Sequence, residues 1–272
     1  MTTELSGDPG FSGETLTLTV DGHIGEIVLT RPDLLNRFDE DVHHEFTKAL
    51  HRVKATPEVR AVVLGSTGKV FSAGGDFDFM RKGHDDLGFI LHHEQVGRDL
   101  LLSLVDLPLP IVSAVQGPAI GLGATIALAC DCIVAARTAV LADPHVEVGL
   151  AAGDGGCLVW PLALGPARAK RFLLTGDRLS AEDAYQFGLV TDLVDTPEEA
   201  LPAARALAAK MAALPPLAVQ GTKMALRNVM KARAAEVVDL AFAYEIRSAG
   251  SDDLLEAIDA FKGRRPGTYE GR

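Results

Sequence analysis

Two short turns and one histidine carry most of the chemical potential of this chain of 272 residues. Phe71-Ser72-Ala73-Gly74-Gly75-Asp76 follows a β-forming run at 60–65, and Gln116-Gly117-Pro118-Ala119-Ile120-Gly121-Leu122-Gly123 follows another at 111–115. Small residues let a ligand approach the backbone, and the start of a helix presents N–H groups without partners of their own. Two such donors aimed at one point stabilise an enolate or a tetrahedral oxyanion. Gly121-Leu122-Gly123 also has part of a dinucleotide fingerprint. Its last glycine is missing, however, and no acidic residue closes a strand about twenty positions on. A nicotinamide enzyme is not the expectation.

His145 and, nine residues on, Asp154 stand in the segment DPHVEVGLAAGDGG. Imidazole titrates near neutrality, and a carboxylate can fix its tautomer and raise its basicity. Asp154 also sits where a glycine-flanked helix would start, a routine position for an aspartate N-cap. If this segment is extended, Glu147 shares a face with His145 and either supports it or lies on the surface. Glu245 reads as the surface of a late helix. The pairs His43-His44 and His92-His93 sit on expected helices, with neighbouring side chains about 100° apart, a poor arrangement for a shared metal. HHE at 92–94 is not HExxH, so no metal is expected. No GxSxG elbow supports a serine nucleophile.

The elements that must position these residues alternate in type. Runs at 15–20 and 24–30 flank Asp21-Gly22 as a hairpin, and apolar residues at helical spacing over 39–55 follow Asp39 as N-cap. A strand at 60–65, a helix at 91–105, a strand at 111–115, a helix at 124–130 and a strand at 132–136 follow. Such alternation makes an α/β protein with parallel pairing. Beyond residue 198 strands vanish, and 198–213, 216–231, 234–248 and 252–262 read as helices, the last capped by Ser251. The expected division is a core over 1–197 and a helical module over 198–272. Its apolar residues, including Leu240, Phe242 and Ile246, are expected against other subunits.

The net charge of −11 argues against nucleic acid, which needs a basic surface. Lys262, Arg264 and Arg265 form a small basic cluster suited to one phosphorylated small molecule. Cys130, Cys132 and Cys157 match no zinc or CxxC spacing and read as reduced core thiols. The first residues carry no apolar leader and no run is long enough to span a bilayer, so a cytoplasmic protein without a membrane partner is expected.

Five segments in order resemble the enoyl-CoA hydratase/isomerase (crotonase) superfamily: RPDLLNRF at 31–38, FSAGGDF at 71–77, QGPAIGLGATIALACD at 116–131, FLLTGDRLSAEDAYQFGLVTDLV at 172–194 and EAIDAFKGRRP at 256–266. The resemblance implies a spiral of ββα turns with a C-terminal helical trimerisation module, assembled as a trimer or hexamer. It implies no prosthetic group and coenzyme A as part of the substrate. The oxyanion donors would be the backbone N–H groups of Gly75 and Leu122. Adenine would lie near Ala73, with phosphates near Arg81 or Lys82 and near Phe261 and Lys262 of a neighbour. Two glutamates that ordinary hydratases of this family use are replaced, by Thr125 and His145. His145 with Asp154, followed by Trp160-Pro161, is similar to the branch that hydrolyses carbon–carbon bonds of cyclic β-diketones, typified by 6-oxocamphor hydrolase, and Glu245 falls near a position where that branch carries a glutamate. Three functions follow as expectations. The first is C–C bond hydrolysis of an acyl-CoA or β-diketone, with water activated by His145 and Asp154. The others are hydration or isomerisation of an enoyl-CoA by non-standard residues, and a non-catalytic acyl-CoA-binding homologue.

Overall fold

The computed structural model describes residues 10–272, so the first residues, on which the expectation of no apolar leader rests, lie largely outside them. Ten strands and ten α-helices are present among the described residues. The amino-terminal half runs β1 (Phe11–Ser12), β2 (Leu16–Asp21), β3 (Ile24–Leu29), α1 (Glu40–Ala55), β4 (Ala61–Ser66), α2 (Phe77–Asp85), α3 (Leu87–Val105) and β5 (Ile111–Val115). The middle adds β6 (Ala119–Ile120), α4 (Leu122–Leu128), β7 (Cys132–Ala136), β8 (Val140–Ala142), α5 (Gly156–Leu164), α6 (Pro166–Leu173) and β9 (Leu179–Ser180). After α7 (Ala181–Phe187) and β10 (Asp192–Val194) come α8 (Pro197–Ala212), α9 (Pro216–Ala249) and α10 (Asp252–Gly263).

The expected hairpin forms, with β2 antiparallel to β3. From β3 the main sheet continues in parallel through β4, β5, β7 and β10. Short strands β6, β8 and β9 make a second sheet. The Asp39 carboxylate accepts the Val42 N–H and caps α1 as expected. One face of the main sheet meets α1, α3 and α5 across a large apolar core that includes Leu16, Ile27, Phe46, Leu64, Leu101 and Trp160. The other face is covered by α8, whose Ala200, Ala204, Ala208 and Ala212 recur every fourth residue and bury against Val63, Val112 and Val134. A stripe of methyl groups lets the helix lie close to the sheet.

Three expectations in the helical tail change. The runs 216–231 and 234–248 are one continuous helix of 34 residues, because Arg233 and its neighbours form no break between them. Phe242 is buried within its own chain and packs in the main core, while Ile246 lines a pocket, so of the three residues expected to face other subunits only Leu240 is exposed. Ser251 is the N-cap position of α10, but its hydroxyl donates to Ser248 O instead of closing the helix. Cys130 is buried, and all three cysteines are free.

Candidate active site

The two glycine turns interlock. Ile120 N–H donates to Ser72 O at 2.9 Å, Phe71 N–H to Pro118 O at 3.0 Å, and Ser72 bridges to Ala119. The fit depends on Gly74, which has φ of 81°; a Cβ there would lie 2.6 Å from Ile120 O. Gly75 follows at the edge of this strap and Leu122 is the first residue of α4, after its N-cap Gly121. Neither N–H donates a hydrogen bond within the described residues. Both residues line the same pocket as His145, Asp154 and Glu245.

His145 reaches that pocket because β8 pairs with β6. Gly121 N–H donates to Ala142 O at 2.9 Å, and the chain turns through Asp143 and Pro144 into a 3-10 turn over His145–Val148. The ring is held at both ends. Nδ1 donates in a short contact to Asp143 Oδ1, and Nε2 lies 3.2 Å from Asp154 Oδ2. The orienting carboxylate is therefore Asp143, which the sequence reading did not single out, whereas Asp154 faces the working nitrogen. Burial disfavours the imidazolium, but Asp154 and Asp143 together outweigh it and hold His145 well above its ordinary value. Burial also pushes the Asp154 carboxyl up, yet the His145 charge outweighs that and holds it below the usual range.

The N-cap position of α5 is Gly155, one residue past Asp154, although the Gly156 N–H still helps hold the Asp154 carboxylate ionised. Asp154 Oδ1 lies 3.4 Å from Thr125 Oγ1, whose hydroxyl steadies the aspartate. Glu245 is no surface residue. It projects from α9 into the pocket, Oε2 is buried without a hydrogen-bond partner, and burial followed by the Asp154 charge pushes its carboxyl up to about 8. Glycines make room for these acids: a Cβ on Gly153 would lie 2.5 Å from Glu245 Cβ, and one on Gly156 would lie 2.2 Å from Asp143 Oδ2. Glu147 does not share a face with His145, because the segment is a 3-10 turn and not a strand. It points to a different groove, where it packs against Gly176.

Phe38, Phe79, Phe89, Phe242 and Ile246 give the pocket a largely apolar lining. A second, longer groove shares Gly75, Met80 and His145 with it and runs past Ala73, Ile120, Phe77 and Phe261. Ala73 and Phe261 both line this groove, with the Phe261 ring tilted against Phe77 of its own chain at 5.2 Å, whereas the Phe261 expected at the phosphates was a neighbour's. Arg81 and Lys82 are outside the groove. Arg81 pairs with Asp259, and the Lys82 ammonium sits 3.9 Å over the Phe89 ring. Lys262 lies 3.5 Å from Asp78 at the rim. The cations that line the groove are Arg37, 2.7 Å from Asp76, and Arg178. Both stand in quoted motifs, but only the fold turns them inward. Asp143, His145 and Asp154 come close enough to hold a metal ion. A doubly paired imidazolium has no lone pair to offer one.

The chain belongs to the enoyl-CoA hydratase/isomerase family, whose model matches residues 19–272. It is 31% identical over 250 residues to 1,2-epoxyphenylacetyl-CoA isomerase of Escherichia coli, covering 90% of this chain and 94% of that one. It is 35% identical over 211 residues to (E)-benzylidenesuccinyl-CoA hydratase of Thauera aromatica, covering 77% and 81%. An enoyl-CoA hydratase/isomerase structure from Mycobacterium paratuberculosis superposes with a TM-score of 0.86 at 35% identity, over 90% of this chain and 98% of that one. The crotonase-like α/β fold and a crotonase-family acyl-CoA enzyme are thereby established. No helix among the described residues is long and apolar enough to cross a membrane.

Proposed function

We propose that this enzyme adds water to a ketone carbonyl β to the thioester of an acyl-CoA and breaks the carbon–carbon bond between them. The observation that carries the reading is a pair of acids in one pocket with opposite shifts: Asp154 held ionised, and Glu245 held protonated up to about 8, with a charged His145 between the turns and Asp154. Environments that separate two carboxyl groups in this way divide the roles of base and acid. Asp154 takes a proton from water as its oxygen attacks the β-carbonyl. The imidazolium supports the alkoxide that forms. The C–C bond then breaks, its electron pair passing into the thioester as an enolate held by the Gly75 and Leu122 N–H groups. The Glu245 carboxylic acid protonates the enolate carbon.

Hydration of an enoyl-CoA develops charge on the thioester oxygen alone and leaves the imidazolium without an oxyanion to serve. Thr125 cannot replace a glutamate as a proton acceptor, and neither can an already charged His145. Hydration remains the second reading, favoured by a relative named as a hydratase. Coenzyme A fits the longer groove, with Arg37 and Arg178 meeting its phosphates and no prosthetic group needed. A cytoplasmic homotrimer or homohexamer completes the proposal.

The test is mass spectrometry of products from a cyclic β-oxo acyl-CoA, the matching free β-diketone and a set of enoyl-CoAs. Ring opening of the thioester to a carboxylic acid is expected. Turnover of enoyl-CoAs alone, to hydroxyacyl-CoAs, overturns the C–C cleavage reading.

A further inference from the structure

A second cluster lies on the far side of the acyl-pocket wall. Glu40 and His44 sit one turn apart on α1, and His92 and His93 are neighbours on α3, which packs along α1. Adjacent histidines on one helix diverge, so neither pair holds a metal alone. Packing two helices together removes that obstacle by bringing imidazoles from both to one carboxylate.

Three Nε2 atoms surround Glu40: His44 at 3.8 Å and His92 at 3.9 Å from Oε1, and His93 at 3.6 Å from Oε2. These separations are too long for hydrogen bonds. They are close to the edge of roughly 3.4 Å of a tetrahedron whose metal–ligand bonds are about 2.1 Å. Ligand atoms of Glu40, His44 and His92 lie within 4.8 Å of one another. His93 lies outside that group but faces the same carboxylate. Its Nδ1 pairs with Phe89 O at 3.0 Å, which fixes the proton there and leaves the lone pair on Nε2. That side chain is 6% exposed, and Nε2 has no hydrogen-bond partner although it faces Glu40. A buried acceptor without a donor is costly unless something else fills the place.

We propose that Glu40, His44 and His92 form a zinc site that clamps α3 to α1, with His93 facing the second oxygen of the same carboxylate. Imidazole nitrogen with one carboxylate oxygen is a donor set that suits zinc. His93 also lines the acyl pocket, so the ion would fix one wall of that pocket without touching the reacting atoms.

The untagged full chain, stripped with chelator and desalted, is titrated with zinc sulfate at neutral pH by calorimetry. One zinc per chain at micromolar or tighter Kd is expected, together with a zinc-dependent rise in Tm. His44→Ala and His92→Ala replace exposed side chains, so both should fold, as circular dichroism will check. Each should weaken zinc at least about tenfold and lose the Tm rise. Cobalt(II) should give the intense visible bands of a tetrahedral site. His145→Ala should bind zinc as the parent does. No saturable zinc binding, or loss in His145→Ala with retention in His44→Ala and His92→Ala, overturns the proposal.

Discussion

Asp143 and Asp154 grip opposite nitrogens of one imidazole, so their substitutions should fail in different ways. Asp154→Asn removes the proton acceptor and the charge facing Nε2; turnover should fall at least about a hundredfold with the fold intact. Were Asp154 only a helix cap, the same change would be nearly neutral, since asparagine caps as well as aspartate. Asp143→Asn should also cost about 10²–10⁴-fold, by removing one of the two charges that orient the ring and hold it as the imidazolium. Steady-state kinetics on the product-forming substrate checks both.

Glu245 gives a pH signature. Its carboxyl is raised from 4.5 to about 8, so activity that needs the protonated acid should fall as pH passes about 8. Glu245→Gln should lower the rate and lose that alkaline limb. For stability the folded state holds its proton where the unfolded chain has lost it, so stability drains away as pH rises from the ordinary carboxylate range to about 8. Glu245→Gln should therefore gain in Tm over the parent as pH rises through that window. His145 shares the sign, its contribution being complete below its ordinary value and lost as pH rises through the raised one. Asp154 has the opposite sign, losing its contribution as pH falls.

The long helix α9 owes its place to a glycine on the facing loop. A Cβ on Gly153 would come within 2.5 Å of Glu245 Cβ and 2.6 Å of Ala241 O, and a backbone carbonyl cannot rotate away. Gly153→Ala should push α9 outward, destabilise by about 1–3 kcal/mol and move Glu245 off the pocket. Gly221, also on α9, has nothing within 4 Å of its would-be Cβ. Gly221→Ala should stabilise by about 0.5–1 kcal/mol through helix propensity. Urea midpoints of the two variants should move in opposite directions.

Across the whole molecule, α9 leaves a row of apolar residues in solvent: Leu217 is 85% exposed, Leu226 69%, Val229 61% and Leu240 58%. So much uncovered apolar surface on one helix calls for a partner. Sedimentation should find a trimer or hexamer, and Leu226→Glu combined with Val229→Glu should shift it toward monomer with helicity unchanged. A stable parent monomer at micromolar concentration would refute this.

The amino-acid sequence by itself determined what depends on neighbours along the chain. The β2–β3 hairpin, the Asp39 cap, the parallel-sheet strands and the two glycine turns all follow from local patterns of side-chain size, polarity and backbone freedom. Motif order also carried the family, because five segments in one succession rarely arise by chance. Tertiary structure decided what depends on separation in space. Asp143 stands two residues from His145 yet was passed over, since only the 3-10 turn brings it to Nδ1. Glu245 is 100 residues from His145 and reads as surface until α9 is seen to run unbroken past Gly153. Arg37 and Arg178, rather than Arg81 and Lys82, line the groove because helix α2 turns its cations toward Asp259 and Phe89. Charge and burial act through distance, and distance between remote residues is set only when the chain is packed.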